Sequence, residues 1–318
     1  MMAFACGDGS CTCPNTCNDQ AWAADRKITS ACDICQTGHK LEEVKLTQHA
    51  IISGGSSGIG LALAKKLAAT GYNVTILARD VARLETARLE IELAGGGTDQ
   101  RVLTFSVDVI DALAVQGAVD QAVNAFGAPA LVVASAGIVV PHIFEELDIS
   151  AFQQTMDINY LGSVYLVRAA LPSMQQAGQG HLVLVSSGAG LLGVYGLSAY
   201  TPSKFAVRGL AEVLRAELRP EGINVSVAYP PDTDTPMLRE EIRIRPEITS
   251  RIAAKTKAMT ADEVADAILK GVKRKKFSIT QGFELGALAY FAGVITPLVN
   301  RFQFDPLIAR LHKRGKQV

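Results

Sequence analysis

No cysteine follows Cys35 in this chain of 318 residues, although six stand before that point: Cys6, Cys11, Cys13, Cys17, Cys32 and Cys35. A body without cysteine does not depend on disulfides and suits a reducing compartment. Charge of one sign is equally lacking, since Lys plus Arg and Asp plus Glu both number 31. That balance gives no global attraction for nucleic acid or an acidic partner and leaves only local basic clusters to consider. Residues 1–25 have neither the basic start nor the apolar run of a secretory signal, so none is expected. No internal repeat at solenoid period and no second domain of comparable size is visible.

What is present is a globular composition, 48% hydrophobic, preceded by an appendage. Residues 1–47 are rich in Gly, Asp, Asn, Thr and Cys and read as a flexible N-terminal extension. Cys32 and Cys35 have a usual zinc-ligand spacing, while Cys6 to Cys17 are irregularly spaced. Metal binding, a disordered arm and a wrongly chosen start codon all remain open there. No metal is assigned to the chemistry of the main domain.

From His49 onward, strands and helices alternate. Residues 50–53, 73–78, 102–107 and 130–134 form short apolar runs, separated by helical patterns over 58–70, 80–94 and up to about 126. Nearly continuous apolar strands in such alternation predict an α/β fold of Rossmann-like type: a doubly wound parallel sheet covered on both faces, in a single domain over 48–282.

The first strand leads directly into Gly54-Gly55-Ser56-Ser57-Gly58-Ile59-Gly60 and then a helix. Glycine lets the backbone approach a pyrophosphate, and the unpaired N–H groups at the helix start face the anion. The second strand ends in Arg79, where an acid would favour NAD and an arginine welcomes the 2′-phosphate of NADP. Asp80 beside it tempers that preference. Asp108, after the third strand, is open to two readings: an acceptor for the adenine amino group, or the cap of the following helix.

Tyr200 and Lys204 lie four residues apart, one turn on one helix face. A phenol titrates near ~10, and a nearby cation favours its ionised form. A move to neutrality would need about 4 kcal/mol of preferential stabilisation, which Lys204 is expected to supply in large part. Ser187, thirteen residues before Tyr200 at the end of a buried strand, is placed to polarise a carbonyl.

With these features together, the chain resembles the short-chain dehydrogenase/reductase family over residues 48 to about 282. Ser53-Gly54-x3-Gly58-Ile59-Gly60 resembles the family's turn, with Ser53 in the threonine place. Ser187, Tyr200 and Lys204 match its catalytic residues. Asn159, in Asp157-Ile158-Asn159-Tyr160, matches the mid-helix asparagine that helps hold a proton-relaying water. Ala134-Ser135-Ala136-Gly137 departs from the usual Asn-Asn-Ala-Gly and puts one strand-bracing hydrogen bond in doubt. The resemblance implies an NADP(H) site made of Gly54, Ser56, Ser57, Gly58, Ile59, Gly60, Arg79, Asp108, Ala136, Gly137, Tyr200, Lys204, Pro230, Thr233 and Thr235. It also implies pairing of copies, as homodimer or homotetramer, through the helices containing 111–126 and 151–176.

Within the family, residues 158–165, 203–212 and 228–236 resemble the 3-ketosphinganine (3-ketodihydrosphingosine) reductases. The last stretch is the most specific, because Pro231 replaces a usual glycine. This implies NADPH-dependent reduction of a long-chain amino ketone in sphingolipid synthesis. Leu191, Leu192, Val194 and Leu197 would also accept a steroid, retinoid or 3-oxoacyl ketone. A non-catalytic nucleotide-binding scaffold is opposed by the complete set of four residues.

A helical lid is expected over residues 237–259. Beyond it lie a basic run at 270–276, an uncharged stretch at 285–299, and a basic end at Arg310, Lys313, Arg314 and Lys316. Fifteen residues reach about 22 Å as a helix, short of the ~30 Å hydrocarbon core. An interfacial or re-entrant helix at the cytosolic face of a membrane, endoplasmic reticulum or bacterial inner membrane, is therefore expected for 283–318. The alternative is packing on the protein's own core or on a partner subunit.

Overall fold

The computed structural model describes residues 48–96, 100–254 and 258–315, with side chains to residue 311. The cysteine clusters of 1–47 lie outside the described residues, as does Lys316. Seven parallel strands form the central sheet in the order β3-β2-β1-β4-β5-β6-β9. They are β1 (His49–Ser53), β2 (Asn73–Ala78), β3 (Val102–Ser106), β4 (Leu131–Ala134), β5 (Gly180–Val185), β6 (Ile223–Tyr229) and β9 (Ser278–Thr280).

The apolar runs become strands because both faces must be covered. Along β5, Leu182 and Leu184 enter one core while Val183 and Val185 enter the other. Along β1, Ile51 serves the first core, and Ala50 and Ile52 the second. Helices α3 (Ala112–Phe126), α5 (Gly162–Ala177) and α6 (Tyr200–Leu218) cover the first face through Val115, Leu166 and Val207. Helices α1 (Gly58–Ala69), α2 (Val81–Gly95) and α9 (Ala261–Lys273) cover the second through Leu63, Leu84 and Ile268. The chain reverses its winding between β1 and β4, which leaves a crevice at the carboxyl ends of the strands.

Helix starts follow local chemistry. The Asp80 side chain accepts from Arg83 N at the head of α2, and Asp111 accepts from Leu113 N and Ala114 N at the head of α3. This settles one open reading of Asp108, which does not cap the following helix. Its carboxylate instead accepts from Ile110 N and lies 3.8 Å from Arg79 Nη1.

The region expected to be a helical lid holds two helices, α7 (Pro236–Ile244) and α8 (Glu247–Ala253). Pro246 forces Arg245 out of helical geometry (φ −70°, ψ 145°), and a two-residue ladder of β7 (Thr233–Asp234) with β8 (Met259–Thr260) ties the ends of the lid together.

The tail is also longer than its uncharged run. After α4 (Ile149–Met156) and the helices above, α10 (Gly282–Val299) continues through a wide turn into α11 (Asp305–Gly315). One helix of 30 residues, Gly282–Leu311, is long and apolar enough to cross a membrane by length and composition. The objection from length therefore falls. The helix bends at Phe291 (φ −125°, ψ 24°). It also lays Leu285, Leu288, Ala289, Ile295 and Phe304 on the core and leaves Phe283, Tyr290, Phe291, Val294, Leu298 and Phe302 exposed.

At the edge of the sheet opposite the crevice, two histidines are fully buried. His49 Nε2 lies 2.9 Å from Thr75 Oγ1 and Nδ1 3.0 Å from Gly127 O, while His181 Nε2 lies 2.7 Å from Ser226 Oγ. Burial lowers both to about 4. In the unfolded chain each binds a proton below about 6.5, so between about 6.5 and 4 the unfolded state holds more protons and stability falls as pH falls. We expect the thermal midpoint to decline from pH 7 to pH 5, and the slope to be visibly shallower in His181→Gln. An unaltered slope in that variant would show that other groups carry the pH dependence.

Candidate functional site

At the carboxyl ends of β1, β4, β5 and β6 lies a cleft of about 800 Å³. Its floor is the glycine turn. Gly54 has φ +69° and a side chain there would lie 2.8 Å from Ala136 N. One at Gly60 would collide with the Gly54 carbonyl, and Gly58, at φ +54°, faces Thr235. Only bare backbone fits at these three positions. Ser57 opens α1 without a side-chain cap, and no acid stands in the first helical turn. The start of α1 thus offers backbone N–H donors to an anion, and the residues present fit a dinucleotide pyrophosphate.

The end of β4 is braced from β1. Ser53 Oγ accepts from Ser135 N (3.2 Å) and Ala136 N (3.3 Å), so the hydroxyl of β1 holds the end of β4.

Tyr200 is the first residue of α6 and Lys204 lies one turn on, both lining the cleft with Ser187. Tyr200 and Ser187 are joined by a side-chain hydrogen bond. Lys204 Nζ lies 5.5 Å from the tyrosine ring centroid and donates to Val185 O at 3.0 Å. Burial lowers Lys204 to about 8. Burial also pushes the Tyr200 phenol above its ordinary range, opposed by the Ser187 bond and reinforced by the charges of Glu241 and Asp232. The large part expected of Lys204 in shifting this phenol meets an opposing effect: burial raises the phenol while the ammonium is turned to a carbonyl.

Asn159 is buried behind this wall in a wide helical turn, Asp157–Leu161. Its Oδ1 accepts from Ile138 N (2.8 Å), and its Nδ2 donates to Ile138 O (3.0 Å) and Ser203 Oγ (2.9 Å). A side chain at Gly137 would lie 3.0 Å from Asn159 Oδ1 and 3.4 Å from Lys204 Nζ, so Asn159, Gly137 and Lys204 converge at one point.

Of the other expected residues, Ile59, Ala136, Pro230 and Thr233 line the cleft with Gly54, Ser57, Gly58, Gly137 and Thr235. Ser56 faces a separate hollow with Asp80 and Arg83. Arg79, exposed, and Asp108, half-buried, stand together beyond the main cleft at the tips of β2 and β3. Leu192, Val194 and Leu197 form apolar walls, but Leu191 is buried in the core instead.

Sequence reasoning missed two serines that brace α6. Ser203 Oγ donates to Tyr200 O, and Ser186 Oγ to Lys204 O. It also missed Asp232, Glu241, Arg245 and Gln281, all of which line the cleft.

The chain belongs to the short-chain dehydrogenase family, whose model, described as "short chain dehydrogenase", matches residues 48–245. Among curated relatives it is 38% identical over 259 residues to a 3-dehydrosphinganine reductase of Danio rerio, covering 80% of this chain and 78% of that one. It is 39% identical to a 3-ketodihydrosphingosine reductase of Mus musculus, with the same coverage. Among solved structures it resembles a short-chain dehydrogenase/reductase of Burkholderia phymatum in complex with NAD. There the TM-score is 0.69 at 25% identity, over 78% of this chain and 94% of that one. It also resembles an archaeal alcohol dehydrogenase from Thermococcus sibiricus complexed with 5-hydroxy-NADP, with a TM-score of 0.64 at 26% identity over 74% and 96%.

Asn159→Ala removes three buried side-chain bonds that join the β4 loop to α6. We expect a loss of about 2–4 kcal/mol in unfolding free energy, measured by denaturant titration, together with reduced turnover. A variant of unchanged stability would show that Asn159 does not brace the site.

Proposed function

We propose that the protein is an NADPH-dependent reductase that converts 3-ketosphinganine to sphinganine in sphingolipid synthesis. The observation that carries this reading is the meeting of Ser187, Tyr200 and Lys204 on one wall of an apolar cleft whose floor is a pyrophosphate-binding turn. Relatives named as reductases of this ketone, matching about four-fifths of the chain, support the substrate.

Gly54, Ser57, Gly58, Ile59 and Gly60 hold the pyrophosphate, with Thr235 on the opposite side and Thr233 toward the nicotinamide end. Arg79 takes the 2′-phosphate and is released for it by its long contact to Asp108. Bound NADPH supplies the hydride for the ketone carbon. Tyr200 gives the ketone oxygen its proton. A phenol held protonated by burial suits an acid in the reductive direction. Ser187, fixed by its bond from Ala189 N at 3.1 Å, donates to the same oxygen as charge develops. Lys204 binds the nicotinamide ribose, and its ammonium, drawn from Val185 O, stabilises the phenolate left on Tyr200. Asn159 holds the wall on which Lys204 rests.

We further propose that the exposed face of α10 lies in the headgroup boundary of a membrane, at its cytosolic side. A helix apolar on every side must be covered all round. One side is on the core, and the other carries Phe283, Tyr290, Phe291 and Val294. Lys270, Lys273 and Arg274 end the neighbouring α9 and suit anionic lipid. Pairing of copies through α3 and α4–α5 is proposed on the family resemblance alone.

Tyr200→Phe is expected to abolish NADPH consumption with 3-ketosphinganine while fluorescence titration still reports NADPH binding, and turnover above a few per cent would remove the proton-donor assignment. Arg79→Asp should raise the KM for NADPH by about 10-fold or more and leave that for NADH little changed. Equal effects on the two would place the 2′-phosphate elsewhere. In flotation with anionic vesicles, the protein should rise with the lipid, and substitution of Phe291, Val294 and Leu298 by Ser should leave it at the bottom. Rising of both would remove the membrane contact, and a change of mass by light scattering in its place would indicate a second copy as the cover.

A further inference from the structure

The walls of the cleft are mostly apolar, but its charge is uneven. Three carboxylates line it, those of Asp232, Glu241 and Glu284, against two cations, Lys204 and Arg245. Lys204 is committed at the catalytic wall to Val185 O. Arg245 therefore stands alone toward both remaining neighbours, and its Nη1 lies 3.6 Å from Asp232 Oδ2 and 3.6 Å from Glu241 Oε1. Both separations are longer than a direct charge-assisted hydrogen bond. Its Nε is meanwhile given to Ser250 Oγ at 3.1 Å. A half-buried carboxylate, Asp232, and a more enclosed one, Glu241, thus share one guanidinium.

A second observation is independent of these charges. Gln281, at the head of α10, lines the same cleft, and both of its amide atoms are buried without a hydrogen-bond partner. A buried amide of this kind is destabilising unless something bonds it, and in a cleft that something is a ligand.

We propose that Asp232 and Glu241, with the Gln281 amide, form a subsite that holds the charged amino group of an α-amino ketone beside Tyr200. The inference rests on the reductase reading above and adds to it the group that selects the substrate. In such a substrate the carbon bearing nitrogen is bonded directly to the ketone carbon. Whatever places the ketone oxygen at Tyr200 must then place the ammonium within reach of Tyr200's neighbours. Asp232 and Glu241 line the same cleft as Tyr200, the cleft that the ammonium must enter with the ketone. The titration of Glu241 agrees. Burial first, then the charge of Asp232, holds it above the usual carboxylate range, with Arg245 opposing. A second cation offsets the repulsion between Asp232 and Glu241 in that pocket, whereas a steroid or retinoid ketone brings none. Gln281 offers its carbonyl to the ammonium or its NH2 to the adjoining hydroxyl.

The test compares 3-ketosphinganine with the hydroxy ketone of the same chain length lacking the 2-amino group, by NADPH consumption with the full chain. Wild type should prefer the amino ketone by about 10-fold or more in kcat/KM. Glu241→Gln and Asp232→Asn should each lower that preference by about 10-fold, through KM for the amino ketone more than through kcat. A preference unchanged in both variants, or an equal loss on both ketones, would overturn the subsite. Should either variant fail to bind NADPH, the wild-type comparison decides alone: equal kcat/KM for the two ketones overturns the subsite and leaves the reductase reading intact. Wild type that reduces neither ketone overturns the reductase reading itself.

Discussion

A lysine ammonium enclosed in nearly dry protein is the constraint around which the crevice is built. Lys204 is 5% exposed, and an ammonium at that depth must be given fixed acceptors or lose its proton. Val185 O supplies one acceptor at 3.0 Å. The backbone carbonyl of Lys204 is held by Ser186, Gly137 leaves room for the side chain, and Asn159 locks the opposite loop to Ser203. Each of these contacts comes from a different element: β5, the β4 loop, the wide turn before α5, and α6. The catalytic wall is therefore rigid because one buried cation requires it.

The same enclosure governs the proton donor. Removing water raises the phenol and lowers the amine, so the cofactor-free site holds Tyr200 firmly protonated. Reduction needs an acid at that position, and stabilisation of the resulting anion is needed only as the proton leaves. The cleft separates these tasks: apolar walls for the chain of the substrate, Ser187 and Lys204 for the oxygen, and a carboxylate-rich corner at Asp232 and Glu241. The tail helix completes the wall with Leu285 and Leu288 while turning its other apolar side outward, which connects the pocket to whatever covers that side.

The sequence by itself determined the sheet, because continuous apolar runs such as residues 182–185 can satisfy both cores only between two helical layers. It also determined the glycine turn, where Gly54, Gly58 and Gly60 have no steric alternative, and the Tyr200–Lys204 pair, whose spacing is a property of one helix. Tertiary structure alone decided what distance along the chain conceals. Ser53 braces the end of β4 from 82 residues away. Asp232 meets Arg245 across the lid, whose ends the β7–β8 ladder ties together, whereas Glu241 and Arg245 meet at helical spacing. The balance between burial and charge at Tyr200 likewise depends on how much water the assembled walls exclude, which no local spacing encodes.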